Sequence, residues 1–105
     1  MNINYYIQSL RRKLNINMAI KKHLGSITIL IKDRQTHAKD VNQLLTDNGH
    51  LIMARLGVNV QKSCVEHCTG MIAVAVEASA KEINDLAEKL DKLYGITAKA
   101  SIMTD

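Results

Sequence analysis

From residue 24 onward the chain alternates apolar and polar side chains with the period of a half-buried strand. In LGSITILIKD (24–33), Ile27, Ile29 and Ile31 fall on one side, with Ser26, Thr28, Leu30 and Lys32 on the other. The period then changes. Ala38, Val41, Leu44 and Leu45 recur at helical spacing, predicting an amphipathic helix that Asp33 can cap and that Asn48-Gly49 ends. HLIMARLGVNV (50–60) predicts a second strand, with Gly57 as its bulge or bend. MIAVAVEA (71–78) predicts a third, with Ile72, Val74 and Val76 inward.

Ser79-Ala80-Lys81-Glu82 has the spacing of a capping box, in which serine hydroxyl and glutamate carboxylate each satisfy the other's free backbone amide. The helix behind it carries Ile83, Leu86, Ala87, Leu90 and Leu93 on one face, and Gly95 is placed to end it. ITAKASIM (96–103) alternates again. The order β-α-β-β-α-β predicts an α+β, ferredoxin-like domain over residues 24–105, a four-stranded antiparallel sheet with both helices on one face. The other face is then expected to present Thr28, Leu30, Leu51, Met53, Met71, Ala73, Ala75 and Met103. So apolar a surface is expected to pack on further copies of the chain, as a dimer or tetramer, its alternative being a mildly apolar monomer surface.

The first 23 residues form a separate arm. Ile3, Ile7, Leu10 and Leu14 recur at three and four, which fits a short amphipathic helix or a disordered arm, and Met18 offers an alternative start. Charge sharpens the division. Of the net +4, residues 1–24 hold Arg11, Arg12, Lys13, Lys21 and Lys22 with no acid, while the remainder has nine basic residues against ten acidic ones. The arm can neutralise a few phosphates, so DNA is a candidate partner through those five residues. It is shorter than the strand and two helices a ribbon-helix-helix reader needs. No apolar run approaches a membrane span and no secretory signal is visible, so a cytoplasmic protein with reduced cysteines is expected.

Candidate chemistry is sparse. The third strand, Met71 to Val76, has no aromatic residue on which a base could stack, and two cysteines are too few for an iron–sulfur cluster. No nucleophile–base spacing, nucleotide loop or HExxH occurs, which speaks against an enzyme. What stands out is KSCVEHC (62–68). Cys64, His67 and Cys68 are three borderline-soft donors within five residues, suited to Zn, Ni or Fe. A fourth donor has to come from Glu66, His50, His23 or another subunit. Two other readings stand beside a metal site: a redox-switched Cys64–Cys68 pair, and reduced thiols in an ordinary loop. His37 reads as a helix-surface residue.

Several stretches together carry a family resemblance. SITILIKDR, the helix end Asn42-Gln43-Leu44-Leu45, Arg55-Leu56-Gly57, and Leu90-Asp91-Lys92-Leu93-Tyr94-Gly95-Ile96 resemble the iron-only hydrogenase system regulator family over about 80 of the 105 residues. The resemblance implies a small cytoplasmic homo-oligomer, similar to ACT domains and to the C-terminal regulatory domain of nickel-responsive repressors. It defines no ligand. The nickel-responsive domain uses a histidine–any–histidine pair on its second strand, whereas Arg55-Leu56-Gly57-Val58-Asn59-Val60 has no histidine. The connection from Gly57 to Met71 is longer than the family's usual turn, and the surplus holds the cysteines. The expected function is an oligomeric regulatory module that senses a metal or small ligand. The alternatives are a DNA-binding transcription factor using the arm, and an assembly partner without a ligand.

Overall fold

Ile27, Ile29 and Ile31 are each no more than 2% exposed, and so are Val74 and Val76 on the strand beside them. These two rows are the centre of the fold, a computed structural model that describes residues 21–61 and 63–105. The elements run β1 (His23–Ile31), α1 (Arg34–Asp47), a 3-10 turn (Gly49–Leu51), β2 (Ile52–Asn59), β3 (Gly70–Ala78), α2 (Ala80–Asp91) and β4 (Ile96–Ile102). The sheet is antiparallel with order β2-β3-β1-β4, the ferredoxin-like arrangement. The predicted N-terminal helix falls on residues outside those described.

The core is aliphatic throughout. Val41 and Leu45 of α1 and Ile83, Leu86, Ala87 and Leu90 of α2 close over the inner face of the sheet, and no polar or charged side chain is buried among the described residues. The two helices are anchored unequally. In α2 the capping box is complete, with the Glu82 amide donating to Ser79 Oγ at 3.1 Å and the Ser79 amide donating to Glu82 Oε1 at 3.2 Å. Asp33 occupies the N-cap position of α1 as expected, yet its carboxylate makes no capping bond to the backbone. Asn48 ends that helix by donating its side-chain amide to the Leu44 carbonyl at 2.8 Å.

Gly95 is required twice over. Its φ of +76° lies in the left-handed region, and a Cβ there would sit 2.7 Å from the His37 ring. His37 is accordingly half-buried rather than a free surface residue, with its ring edge-on to Tyr94 at 5.4 Å.

The second strand departs from expectation. Gly57 pairs in register with Ile72, and the irregularity lies between Ile52 and Ala54, at Met53. An extra residue reverses the facing of everything after it, because side chains alternate with period two. Ala54, Leu56 and Val58 therefore take the open face, and Arg55, Gly57 and Asn59 the helix side. Leu51 is corrected with it: it belongs to the 3-10 turn, is 8% exposed and packs in the core rather than on the open face. Thr28, Leu30, Met71, Ala73 and Ala75 lie on the open face in paired register, Met53 is exposed in the bulge, and Met103 is exposed just past β4.

These anchors predict a graded mutational response in urea denaturation. Ser79→Ala lowers stability by about 1 kcal/mol through the lost cap. Leu90→Ala, at a fully buried site, lowers it by about 3 kcal/mol. Gly95→Ala costs more than the lost cap, since it meets both backbone strain and the His37 ring.

Candidate functional site: a cross-linked loop on the start of the first helix

The β2–β3 connection folds back onto the beginning of α1. Within it Cys64 and Cys68 are joined as a disulfide, with Cα atoms 5.7 Å apart, closing a five-residue ring. His67, inside that ring, has φ +52°, a left-handed conformation uncommon for a residue with a side chain. Five contacts dock the ring, one of them Gln35 Nε2 donating to Cys68 Sγ at 3.5 Å. The Arg34 amide donates to the Cys68 carbonyl at 2.8 Å. The Cys68 amide donates to Gln35 Oε1 at 3.1 Å, and Gln35 Nε2 donates to the Val65 carbonyl at 3.3 Å. His67 Nδ1 meets Asp33 Oδ2 at 2.8 Å. Arg34 and Gln35 belong to the first turn of α1, whose amides have no partner within the helix, so the loop supplies what a side-chain cap would have supplied.

Asp33 serves the loop instead of the helix. Its Oδ2 accepts from His67 and, at 3.1 Å, from the Thr36 hydroxyl, while Oδ1 is buried without a partner. The His67 hydrogen bond, opposed by partial burial and assisted by Thr36, holds the carboxyl below its ordinary 3.8. Asp33, Gln35, Thr36, Val65, Glu66 and His67 line a shallow depression of about 220 Å³.

A second concavity, about 300 Å³, lies alongside, between α1 and the β2 edge. It exists because the helix side of β2 offers Arg55, Gly57 and Asn59, none of them an apolar side chain on which α1 could close. The floor is Ile31, Ala38 and Ile72, and Arg34, Asn42 and Asn59 stand at the rim. Arg34 donates across it to Asn59 Oδ1, and Arg55 donates to Asn42 Oδ1. Arg34 is thus shared: its backbone holds the disulfide loop, while its side chain crosses Gly70 and borders the cleft.

Of the candidate ligands, Cys64 and Cys68 are brought together, but as a disulfide, and His67 is turned to Asp33. In that state the sulfurs present no thiolates, and no group of three or more His, Cys, Asp or Glu side chains is arranged for a metal among the described residues. His50 sits in the 3-10 turn at the far end of β2, about 25 Å of strand from the loop. His23, at the start of β1, contacts the Thr104 carbonyl. Lys21 and Lys22 are exposed. Arg11, Arg12 and Lys13 lie outside the described residues. Sequence pattern did not reveal Arg34, Gln35 or the Asp33–His67 pair, because the partners are some 30 residues apart and belong to no local motif.

Comparison with known proteins supplies the family. Residues 23–100 match the family model TM1266-like, described as "Iron-only hydrogenase system regulator, putative". Among solved structures, TM1266 from Thermotoga maritima is similar at a TM-score of 0.70 and 24% identity, over 80% of this chain and 100% of that one. A nitrogen regulatory PII-like protein from Thiomonas intermedia is similar at 0.49 and 13%, over 83% and 97%. The YXEP protein of Bacillus subtilis, a dinuclear metal-binding peptidase, is similar at 0.49 and 12%, over 79% of this chain and 26% of that one. None of the curated proteins matches the chain.

The docked loop has a definite acid response. Because the Asp33 carboxyl titrates lower in the fold than in the unfolded chain, its contact with His67 stabilises the fold above the ordinary 3.8 and is lost as pH falls through the lowered value. Carboxyl-carbon NMR of Asp33 is expected to titrate below 3.8. His67→Ala is expected to bring the midpoint back up toward that value.

Proposed function

Because the chain belongs to the TM1266-like family of iron-only hydrogenase system regulators, we propose that it is a self-associating regulatory module rather than an enzyme, and that two copies meet through the open face of the sheet. The observation that carries this is how side-chain size is distributed over that face. Register places Ala54, Ala75, Ser26 and Ser101 in one row across the strands. The next row is Leu56, Ala73, Thr28 and Lys99, and the third is Val58, Met71, Leu30 and Thr97. Across these three rows the side chains grade from small to large, and beyond the small row Leu24 pairs with Glu77 at the margin of the face. The small end of the three rows contains a depression of about 270 Å³ lined by Ser26, Ala54, Leu56, Ala73 and Ala75.

A two-fold axis through the middle of such a face sets the large row of one copy against the small row of the other. Self-complementarity of this kind is what an isologous interface requires. Charge agrees with it within these rows: β2, β3 and β1 present only uncharged side chains there, while Lys99 on the edge strand β4 and Glu77 beyond the small row stand at the margins. The surface left over without a second copy includes Leu30, Leu56 and Val58, which are 37%, 64% and 40% exposed. The cysteine loop and the cleft lie toward the other side of the sheet, so association leaves them accessible to an input.

Sedimentation velocity at micromolar concentration is the test. A dimer is expected for the full chain, and a folded monomer with unchanged circular dichroism for Ala75→Glu. Ala75→Leu weakens the dimer by overfilling the small row, and adding Leu30→Ala restores part of the affinity. A monomeric parent chain, or an Ala75→Glu dimer, overturns the interface. In the host, deleting the chain and introducing Ala75→Glu are expected to shift iron-only hydrogenase transcript levels in the same direction, and no shift from the deletion overturns the regulatory role.

A further inference from the structure

The cysteine loop stands outside the main packed cluster, although Cys68 is itself buried. The packed cluster is drawn from the strands, the helices and the 3-10 turn, and neither cysteine belongs to it. A cross-link between residues four apart also constrains little of the unfolded chain, so it is poorly placed as a structural staple. What the ring does hold is its docking on the first turn of α1, where the Cys68 carbonyl accepts from the Arg34 amide and the Cys68 amide donates to Gln35 Oε1.

We propose that Cys64 and Cys68 are a reversible dithiol–disulfide site, exchanging with low-molecular-mass thiols, whose oxidised form clamps the loop on α1 and sets Arg34 beside the cleft. The inference supplies the input to the regulatory reading above and rests on that reading for its biological meaning. The two cysteines are exposed unequally: Cys68 is 2% exposed, while Cys64 is half-buried. An incoming thiolate therefore attacks Cys64 Sγ, forming a mixed disulfide and expelling Cys68 as the leaving thiolate. A second thiol then attacks its own kind in the mixed disulfide and frees Cys64. The protein disulfide and two RSH become the protein dithiol and RSSR, and the reverse step uses RSSR as oxidant.

The mechanical consequence follows from the contacts. His67 holds its left-handed φ of +52° inside a closed five-residue ring and against Asp33. Opening the ring removes one of those two restraints, and the backbone is free to return to the region an ordinary residue prefers. Cys68 is the next residue, so its amide and carbonyl turn with it. Arg34 and Gln35 lose their partners, and the Arg34 side chain loses the anchor that places it over Gly70 and toward Asn59.

The test uses the full chain equilibrated with oxidised or with reduced dithiothreitol. Intact mass after alkylation is expected to show no reactive thiol in the first case and two in the second, over repeated cycles. Amide exchange at Arg34 and Cys68 is expected to rise at least about tenfold on reduction, with the α2 amides unchanged. Cys64→Ser/Cys68→Ser shows the fast exchange in both buffers. Failure to form the disulfide, or equal Arg34 exchange in both states, overturns the proposal. So does stoichiometric Zn²⁺ uptake by the reduced chain that blocks reoxidation, which assigns Cys64, His67 and Cys68 to a metal. Sedimentation of the same samples separates the two readings: a monomer that cycles its thiols fails the interface and keeps the switch.

Discussion

Everything in this molecule hangs on one-sided burial of the two central strands. Ile27 and Ile29 on β1 stand opposite Val74 and Ile72 on β3, and Ile31 and Val76, opposite Gly70 and Gly25, extend the same buried face toward both helices. Shifting either strand by one residue would turn three branched side chains to water and bring Ser, Thr or Ala into the core, so the register has no near competitor. Each buried side chain of that size contributes roughly 1.5–3 kcal/mol relative to exposure. With the register fixed, the composition of the opposite face follows, and so do the ends of the sheet at which each loop emerges.

That constraint is also why the central strands and α2 were legible from sequence. Their periodicity is strong, and Ser79 and Glu82 mark a helix start by a local rule that the structure satisfies atom for atom. The edge strand was less legible for a physical reason. β2 has no buried alternation after Leu51, since its helix side carries Arg55, Gly57 and Asn59. Gly57 looked like the natural place for an irregularity. The register instead breaks at Met53, which brings Ala54, Leu56 and Val58 onto the open face, while Leu51 leaves the predicted interface because it belongs to the 3-10 turn before the strand. An edge strand tolerates a bulge anywhere its neighbour leaves slack, and a pattern read along one chain does not see the neighbour.

The cysteine loop shows a different limit. KSCVEHC announced three donors, and its spacing allowed Cys64 and Cys68 to converge only if the segment turned, which the structure shows it does. Which residues the loop meets did not follow from spacing, because Asp33, Arg34 and Gln35 reach it through tertiary contact alone. Asp33 illustrates the competition: its position is that of a helix cap, but a histidine from the loop takes the carboxylate, and the loop's backbone takes the first-turn amide of Arg34. The two exchanges compensate each other. The helix start is satisfied by a partner that can leave, where a serine or aspartate of its own could not.

The same reasoning locates where this fold can move. α2 has a complete capping box and four buried residues, and it lies against β1, β3 and β4. α1 has two buried residues and no side-chain cap of its own, and it faces a β2 surface with no apolar side chain beyond Ile52. Local opening favours the element with the fewest buried apolar contacts. The domain is thus divided between a well-anchored part, β1, β3, β4 and α2, and a loosely held part, α1, β2 and the loop joining β2 to β3. Regulation by a small domain needs such a division, since a uniformly packed core has no state to switch to. The cross-link at Cys64 and Cys68 sits at the junction where the loosely held part is tied to itself, and there a change of one covalent bond has the most structure left to redirect.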